Sequence, residues 1–138
     1  MVLYTRRAIM AGMAAAAFAG RVQASPGEHQ AFIAAAFKMK DEAVRSGDQP
    51  YGAVLVKDGR ILGFGPSRVV LKKDWTAHAE REAMREAQAR LGSNDLSGCV
   101  LYSTSRPCSQ CEAAAAAANV ARMYHGASAT DAGPPRRS

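Results

Sequence analysis

The chain has 138 residues, 48% apolar and 22% charged, with 12 Gly, 6 Pro and 3 Cys. These are the proportions of one ordinary soluble domain, and they exclude a collagen, a disordered tail and a disulfide-framework mini-protein. The formal charge of +6 is uneven: Arg6, Arg7 and Arg21 fall in a first segment without an acid, and from Ser25 onward 15 bases face 12 acids.

That remaining surplus is small and interleaved, as in Lys57-Asp58 and Arg81-Glu82. A protein that tracks phosphates concentrates its positive charge, so nucleic acid is not expected as a partner. At this length about two thirds of the unfolded chain's surface can be buried, and the core need not depend on disulfides or metal.

Met1 to Ala24 reads as an address. Arg6-Arg7 precedes an uncharged run from Ala8 to Gly20, which is 13 residues and short of the roughly 20 that a membrane-spanning helix needs. Val22 and Ala24 then offer small residues before a cleavage at Ser25, the layout of a bacterial signal peptide. Thr5-Arg6-Arg7-Ala8-Ile9-Met10 resembles the twin-arginine export signal. The expectation is an exported, periplasmic protein with no stable membrane anchor, cytoplasmic if the leader does not function. An ordinary amphiphilic leader or an uncleaved N-terminal helix is the alternative. The domain proper is expected over residues 25–132, with a mobile tail over 133–138.

Within the domain, apolar residues at Phe32, Ala35, Ala36, Met39 and Ala43 mark one face of a helix from Glu28 to Arg45, with Gly47 as its stop. Ala53–Val56 and Ile61–Phe64 flank Lys57-Asp58-Gly59-Arg60, and an Asp-Gly pair between apolar runs predicts a hairpin. After a polar connection through Lys72-Lys73-Asp74, a second helix is expected over Ala77–Leu91, with Glu80, Ala83, Met84, Ala87 and Leu91 on one face and Gly92 ending it. A carboxylate thus shares an apolar face. Val100–Tyr102 predicts a third strand, Cys108–Asn119 a third helix and Val120–His125 a fourth strand, parallel to the third. The expected fold is α/β, a mixed sheet of four strands covered by helices.

The chemistry lies at the starts of the second and third helices, in His78-Ala79-Glu80 and Pro107-Cys108-Ser109-Gln110-Cys111. Cysteines three apart in a helical turn lie within about 60° around the axis and face one point. The positive helix end favours their thiolates, and Pro107 fits the first turn because its missing N–H would be unpaired there. His78 completes two sulfurs and a nitrogen, a set that suits Zn²⁺ and leaves the fourth tetrahedral position for water. Glu80 supplies a base. Residues 78 and 80 of an ideal helix point about 200° apart, so His78 is expected at the first turn, reaching sideways, with Glu80 turned into the pocket.

These residues carry a resemblance. His78-Ala79-Glu80 with Pro107-Cys108-x-x-Cys111 is similar to the signature of the cytidine and deoxycytidylate deaminase superfamily of zinc enzymes. Gln49-Pro50-Tyr51-Gly52-Ala53-Val54-Leu55-Val56, with Lys57-Asp58-Gly59 and Thr76-Ala77-His78-Ala79-Glu80, resembles the guanine deaminase and transfer-RNA adenosine deaminase branch most closely, over about Phe32 to Asp131. The resemblance implies a three-layer α-β-α sandwich and one Zn²⁺ per chain held by His78, Cys108 and Cys111. It makes Glu80 the proton shuttle in hydrolytic deamination of a free nucleobase or nucleoside, of guanine or cytosine type. It also implies that Gly52 and Ala53 line the base pocket, Gly52 by admitting close approach, and that Ser67 and Asp131 bind substrate. Ser67 stands where that branch has an Asn, Arg106 where a Glu is common and Trp75 where a Pro is common. Trp75 is expected as a packed surface residue. With little after Asp131, the edge of the fourth strand is expected to be open and to favour a homodimer.

Cys99 is read as a small buried residue, His125 as a strand-end residue, and His29 has no assignment. The alanines from Ala113 to Ala118 should let the third helix lie close to the sheet. Two rival functions remain. One is a deaminase-like module that keeps zinc without turnover, favoured by Ser67 and the short stretch after Asp131. The other is an exported thiol oxidoreductase built on Cys108-Ser109-Gln110-Cys111, a reading that leaves His78 and Glu80 without purpose.

Overall fold

The structure is a computed structural model and describes residues 24–137. The leader expected over Met1–Ala24 lies, apart from Ala24, outside the described residues. Among the described residues no helix is long and apolar enough to cross a membrane.

The first helix, α1 (Pro26–Arg45), begins two residues before the expected Glu28, because Ser25 and Glu28 form a reciprocal capping box with Pro26 in the first turn. The Ser25 hydroxyl accepts the Glu28 N–H at 3.2 Å and the Glu28 carboxylate accepts the Ser25 N–H at 2.9 Å. At the other end Gly47 takes φ +83° and lets the Asp48 N–H return to the Ala43 carbonyl at 2.9 Å, a glycine stop as expected. The hairpin follows as β1 (Gly52–Lys57) and β2 (Arg60–Pro66). Its turn residues Asp58 and Gly59 both have positive φ, the tight turn that Asp-Gly prefers.

The connection after β2 holds a four-residue helix, α2 (Val69–Lys72), that the sequence pattern does not announce. α3 (Ala79–Leu91) ends at Gly92 in the left-handed conformation. Then come β3 (Cys99–Ser103), α4 (Ser109–Ala117), β4 (Arg122–His125) and β5 (Thr130–Gly133). The sheet therefore has five strands, in the order β2-β1-β3-β4-β5, and not four. β3 and β4 are parallel, as a strand-helix-strand unit requires, and the other pairs are antiparallel. β5 pairs with β4, so the β4 edge is covered and the ground for expecting a dimer through it is removed. Gly133 belongs to this fifth strand, opposite Met123.

Alternation along the strands sorts the core into two layers. Ala53, Leu55, Cys99, Leu101 and Met123 face Ala79, Ala83, Met84 and Ala87 of α3 and Ala115 of α4. Val54, Val56, Tyr102 and Tyr124 face Ile33 of α1. The result is the expected three-layer sandwich. α3 lies unusually close to β2, because Gly63 and Gly65 have no side chain. A Cβ on Gly65 would strike the Ala79 carbonyl oxygen and fall 2.6 Å from the Ala83 nitrogen, and one on Gly63 would strike the Ala83 carbonyl. This seat fixes the height of the α3 N-terminus above the sheet.

Candidate metal centre and catalytic site

His78 is the N-cap of α3, with extended backbone (φ −63°, ψ 156°), so it is not helical. That resolves the 200° conflict between residues 78 and 80: the chain turns between them, and His78 and Glu80 need not share a helical wheel. The approach to His78 is a built turn. The Asp74 carboxylate accepts both the N–H and the hydroxyl of Thr76 at 2.8 and 2.7 Å, and the Ala77 N–H donates to the Asp74 carbonyl at 3.0 Å.

Cys108 is likewise an N-cap, of α4, and Pro107 precedes the helix instead of sitting in its first turn. The Cys108 sulfur accepts the Cys111 N–H at 3.5 Å, satisfying one of the free donors at the helix start. Upstream, Thr104 is locked to Gly52 by a reciprocal pair, backbone N–H to carbonyl at 3.0 Å and Gly52 N–H to hydroxyl at 3.2 Å. The β3–α4 connection is thus fastened to the start of β1.

The two helix starts meet. His78 Nδ1 lies 3.7 Å from Cys108 Sγ and 3.4 Å from Cys111 Sγ, and the three ligand atoms are all within 4.8 Å of one another. In a tetrahedral zinc site, with bonds of about 2.3 Å to sulfur and 2.05 Å to nitrogen, the nitrogen–sulfur edge is about 3.6 Å. The observed separations bracket that value, so the donor set fits the metal in kind and in spacing. Among the described residues this is the one His/Cys/Asp/Glu group of three or more with such geometry.

Electrostatics point the same way. Burial pushes the Cys111 thiol up, with the Glu80 charge and Cys108 adding to the effect. A thiol so placed ionises readily only beside a cation. Glu80, one residue past the first residue of α3, is 7% exposed, and burial raises its carboxyl above the ordinary range. It is near enough for its charge to act on Cys111, yet it is not one of the three ligands. A buried carboxyl with a raised pKa beside a three-ligand metal centre is the equipment of a hydrolase that moves protons.

The profile of the cytidine and deoxycytidylate deaminase zinc-binding region matches residues 26–127. The chain belongs to this deaminase family. It is 39% identical over 105 residues to a guanine deaminase of Bacillus subtilis (strain 168), covering 75% of this chain and 67% of that protein. It is 36% identical over 96 residues to a tRNA-specific adenosine deaminase of Aquifex aeolicus (strain VF5), covering 70% and 64%. Among solved structures, the X-ray structure of guanine deaminase from Bacillus subtilis superposes with a TM-score of 0.69 at 38% identity, over 72% of this chain and 64% of that one. The chain spans about two thirds of the length of these relatives.

The other expected site residues are placed differently. Gly52 packs under α1: a Cβ there would strike the Ala36 carbonyl and the Lys40 nitrogen, so the missing side chain makes room for a helix backbone, not for a base. Ala53 is fully buried in β1, paired with Gly65 on one side and Ser103 on the other. Ser67 is 1% exposed and donates its hydroxyl to Asp48 Oδ1 at 2.9 Å. Its one proton is committed there. Burial alone would raise Asp48, but the N–H groups of Leu71 and Gln49 and the Ser67 hydroxyl outweigh it and hold the carboxyl low. Asp48 is the hub joining the α1–β1 loop to α2, a role the sequence pattern does not reveal. Asp131 turns its carboxylate to Arg122, at 2.9 Å, toward the start of β4, whereas the metal centre follows the end of β3.

Trp75 is 81% exposed, three residues before His78, so it is not the packed surface residue expected. Cys99 is fully buried. His125 ends β4 opposite Ser103, and burial and the charge of Arg106 hold its imidazole below the usual range. His29 is part of the α1-side packing: its Nδ1 is 2.7 Å from the Tyr102 hydroxyl and its ring lies on Tyr124 at 4.2 Å between centroids.

Proposed function

We propose that the protein is a zinc-dependent hydrolytic deaminase of a free nucleobase or nucleoside, guanine first among the candidates. The observation that carries this reading is the pairing of the His78, Cys108 and Cys111 donor cluster at zinc spacing with the buried, non-ligating Glu80. Zinc, held by these three residues, would activate water toward the ring carbon that bears the exocyclic amine. Glu80 would accept the first proton that water loses and pass it to the adjacent ring nitrogen, then take the second proton from the hydroxyl now on the ring carbon and deliver it to the amine, whose bond to that carbon breaks to release ammonia. Its raised carboxyl suits both halves of that cycle, since a group that gives and takes a proton at neutral pH works best with a pKa shifted toward 7.

The preference for a small substrate is supported by the likeness to guanine deaminase and by the near balance of bases and acids from Ser25 onward. Adenosine in transfer RNA is the second reading, favoured by the 36% identity to the tRNA-specific enzyme. Incubating the protein with guanine, adenine, cytosine, their nucleosides and transfer RNA, and measuring ammonia, decides between them. Release from guanine supports the first reading. Release from transfer RNA alone selects the second, and release from none of the panel overturns both in favour of a zinc module without turnover. We further propose export by the twin-arginine route, on the strength of Thr5-Arg6-Arg7 and the short apolar run after it.

A further inference from the structure

We propose that Arg136, in the segment after β5, is a positioning residue for the metal centre and acts through Glu112 on the first turn of α4. This inference rests on the metal centre of the preceding reading and is independent of the substrate.

Glu112 is the neighbour of Cys111, and its N–H closes the first hydrogen bond of α4 onto the Cys108 carbonyl at 2.9 Å. Its side chain is 7% exposed, and its carboxylate is gripped chiefly by one residue. Arg136 donates its backbone N–H to Oε2 at 2.8 Å, its Nε to Oε2 at 3.1 Å and its Nη2 to Oε1 at 3.4 Å. Arg106, two residues before Cys108, stands 3.8 Å from Oε1. One buried carboxylate therefore fastens the approach to Cys108, the turn that carries Cys111, and a strand-end segment 24 residues further along the chain.

α4 needs such a fastening. It has nine residues, five of them consecutive alanines, and its buried side chains are Cys111, Glu112, Ala115 and Ala116. Alanine contacts give little resistance to rotation about the helix axis. Rotation or sliding of this turn would move both sulfurs relative to His78 Nδ1, which is fixed from α3 by a separate turn. Groups that orient metal ligands from behind typically matter by 10- to 100-fold in metal affinity.

Electrostatics alone predicts the opposite. Removing Arg136 leaves an uncompensated negative charge beside the ligands, which would attract a cation more strongly. The two accounts differ in sign, and the test uses that difference. Native protein, Arg136→Ala, Arg136→Lys, Glu112→Ala and the Arg136→Ala/Glu112→Ala double variant are titrated with Zn²⁺ against a chromophoric chelator, and folding is followed by circular dichroism. Co²⁺ in place of zinc reports the ligand geometry through its visible bands. The expected result is folded Arg136→Ala and Glu112→Ala proteins that bind zinc about tenfold more weakly. The double variant should be no weaker than either single one, and Arg136→Lys intermediate. Native or tighter binding in the folded single variants, additive losses in the double variant, or unchanged Co²⁺ bands throughout would overturn the role of Arg136. Failure of the native protein itself to bind zinc would overturn the metal centre and this inference with it.

Discussion

Replacing Gly65 by alanine should cost activity out of proportion to stability. A Cβ at this position strikes the Ala79 carbonyl and stands 2.6 Å from the Ala83 nitrogen, where ordinary contact begins near 3.4 Å. Both obstacles are helix backbone, so no side chain can swing aside and α3 must retreat by about 1 Å. Overpacking of this kind costs about 1–3 kcal/mol, which lowers the melting temperature by roughly 4–8 °C for each kcal/mol in a domain of this order of size. The retreat carries Glu80 and the His78 cap away from Cys108 and Cys111, and a misplacement of about 1 Å at a reacting centre can cost about 100-fold in rate. Gly63→Ala is the internal control. Its Cβ strikes Ala83, a full turn further from His78, so it should lose similar stability and far less activity. Thermal melts and ammonia release, measured on zinc-loaded protein well below both melting temperatures, give the two numbers. A Gly65→Ala protein with native melting and native rate, or a Gly63→Ala protein equally inactive at equal stability, would refute the claim that the glycine seat sets the site.

Glu80→Gln should keep the fold and the bound metal while losing turnover by about 10²- to 10⁴-fold, as removal of a positioned acid–base group does; a variant retaining most of its ammonia release would move that role to another residue. Ser67→Asn should lower stability by about 1–3 kcal/mol, since it forces a larger group into a 1%-exposed position and disturbs the bond to Asp48. Its ratio of purine to pyrimidine turnover should stay unchanged, and a tenfold change in that ratio with an unaltered melting temperature would place Ser67 against the substrate. Arg6→Lys with Arg7→Lys preserves charge and removes only the arginine pair, so fractionation should find the protein in the cytoplasm with its leader attached; continued export would indicate a general secretory leader.

Where local chemistry dictates the outcome, the chain is legible. Asp58-Gly59 announces its hairpin because both residues must adopt positive φ, and they do. The metal ligands are legible because spacing and residue type are both specific, and Glu80 because a carboxylate on an apolar face needs a reason. What escapes is what tertiary context creates. Thr130-Asp131-Ala132-Gly133 has little β-propensity and becomes a strand only because the turn at Gly126 lays it against β4. Gly52 is legible as a close approach, but only the fold shows that the approaching group is the α1 backbone. Asp48 with Ser67, and Glu112 with Arg136, join residues 19 and 24 apart with no periodic signal between them. The capping box is different: Ser25-Pro26-Gly27-Glu28 carries the full start signal, and it places the first helix at Pro26 once it is read.

The metal centre is tested by the zinc content of protein purified without added metal, native beside His78→Ala. Native protein should hold one equivalent of zinc per chain, lost or sharply reduced in the variant, with Cys108 and Cys111 as reduced thiolate ligands. Native protein without zinc, its Cys108 and Cys111 joined in a disulfide, would contradict this and restore the oxidoreductase reading.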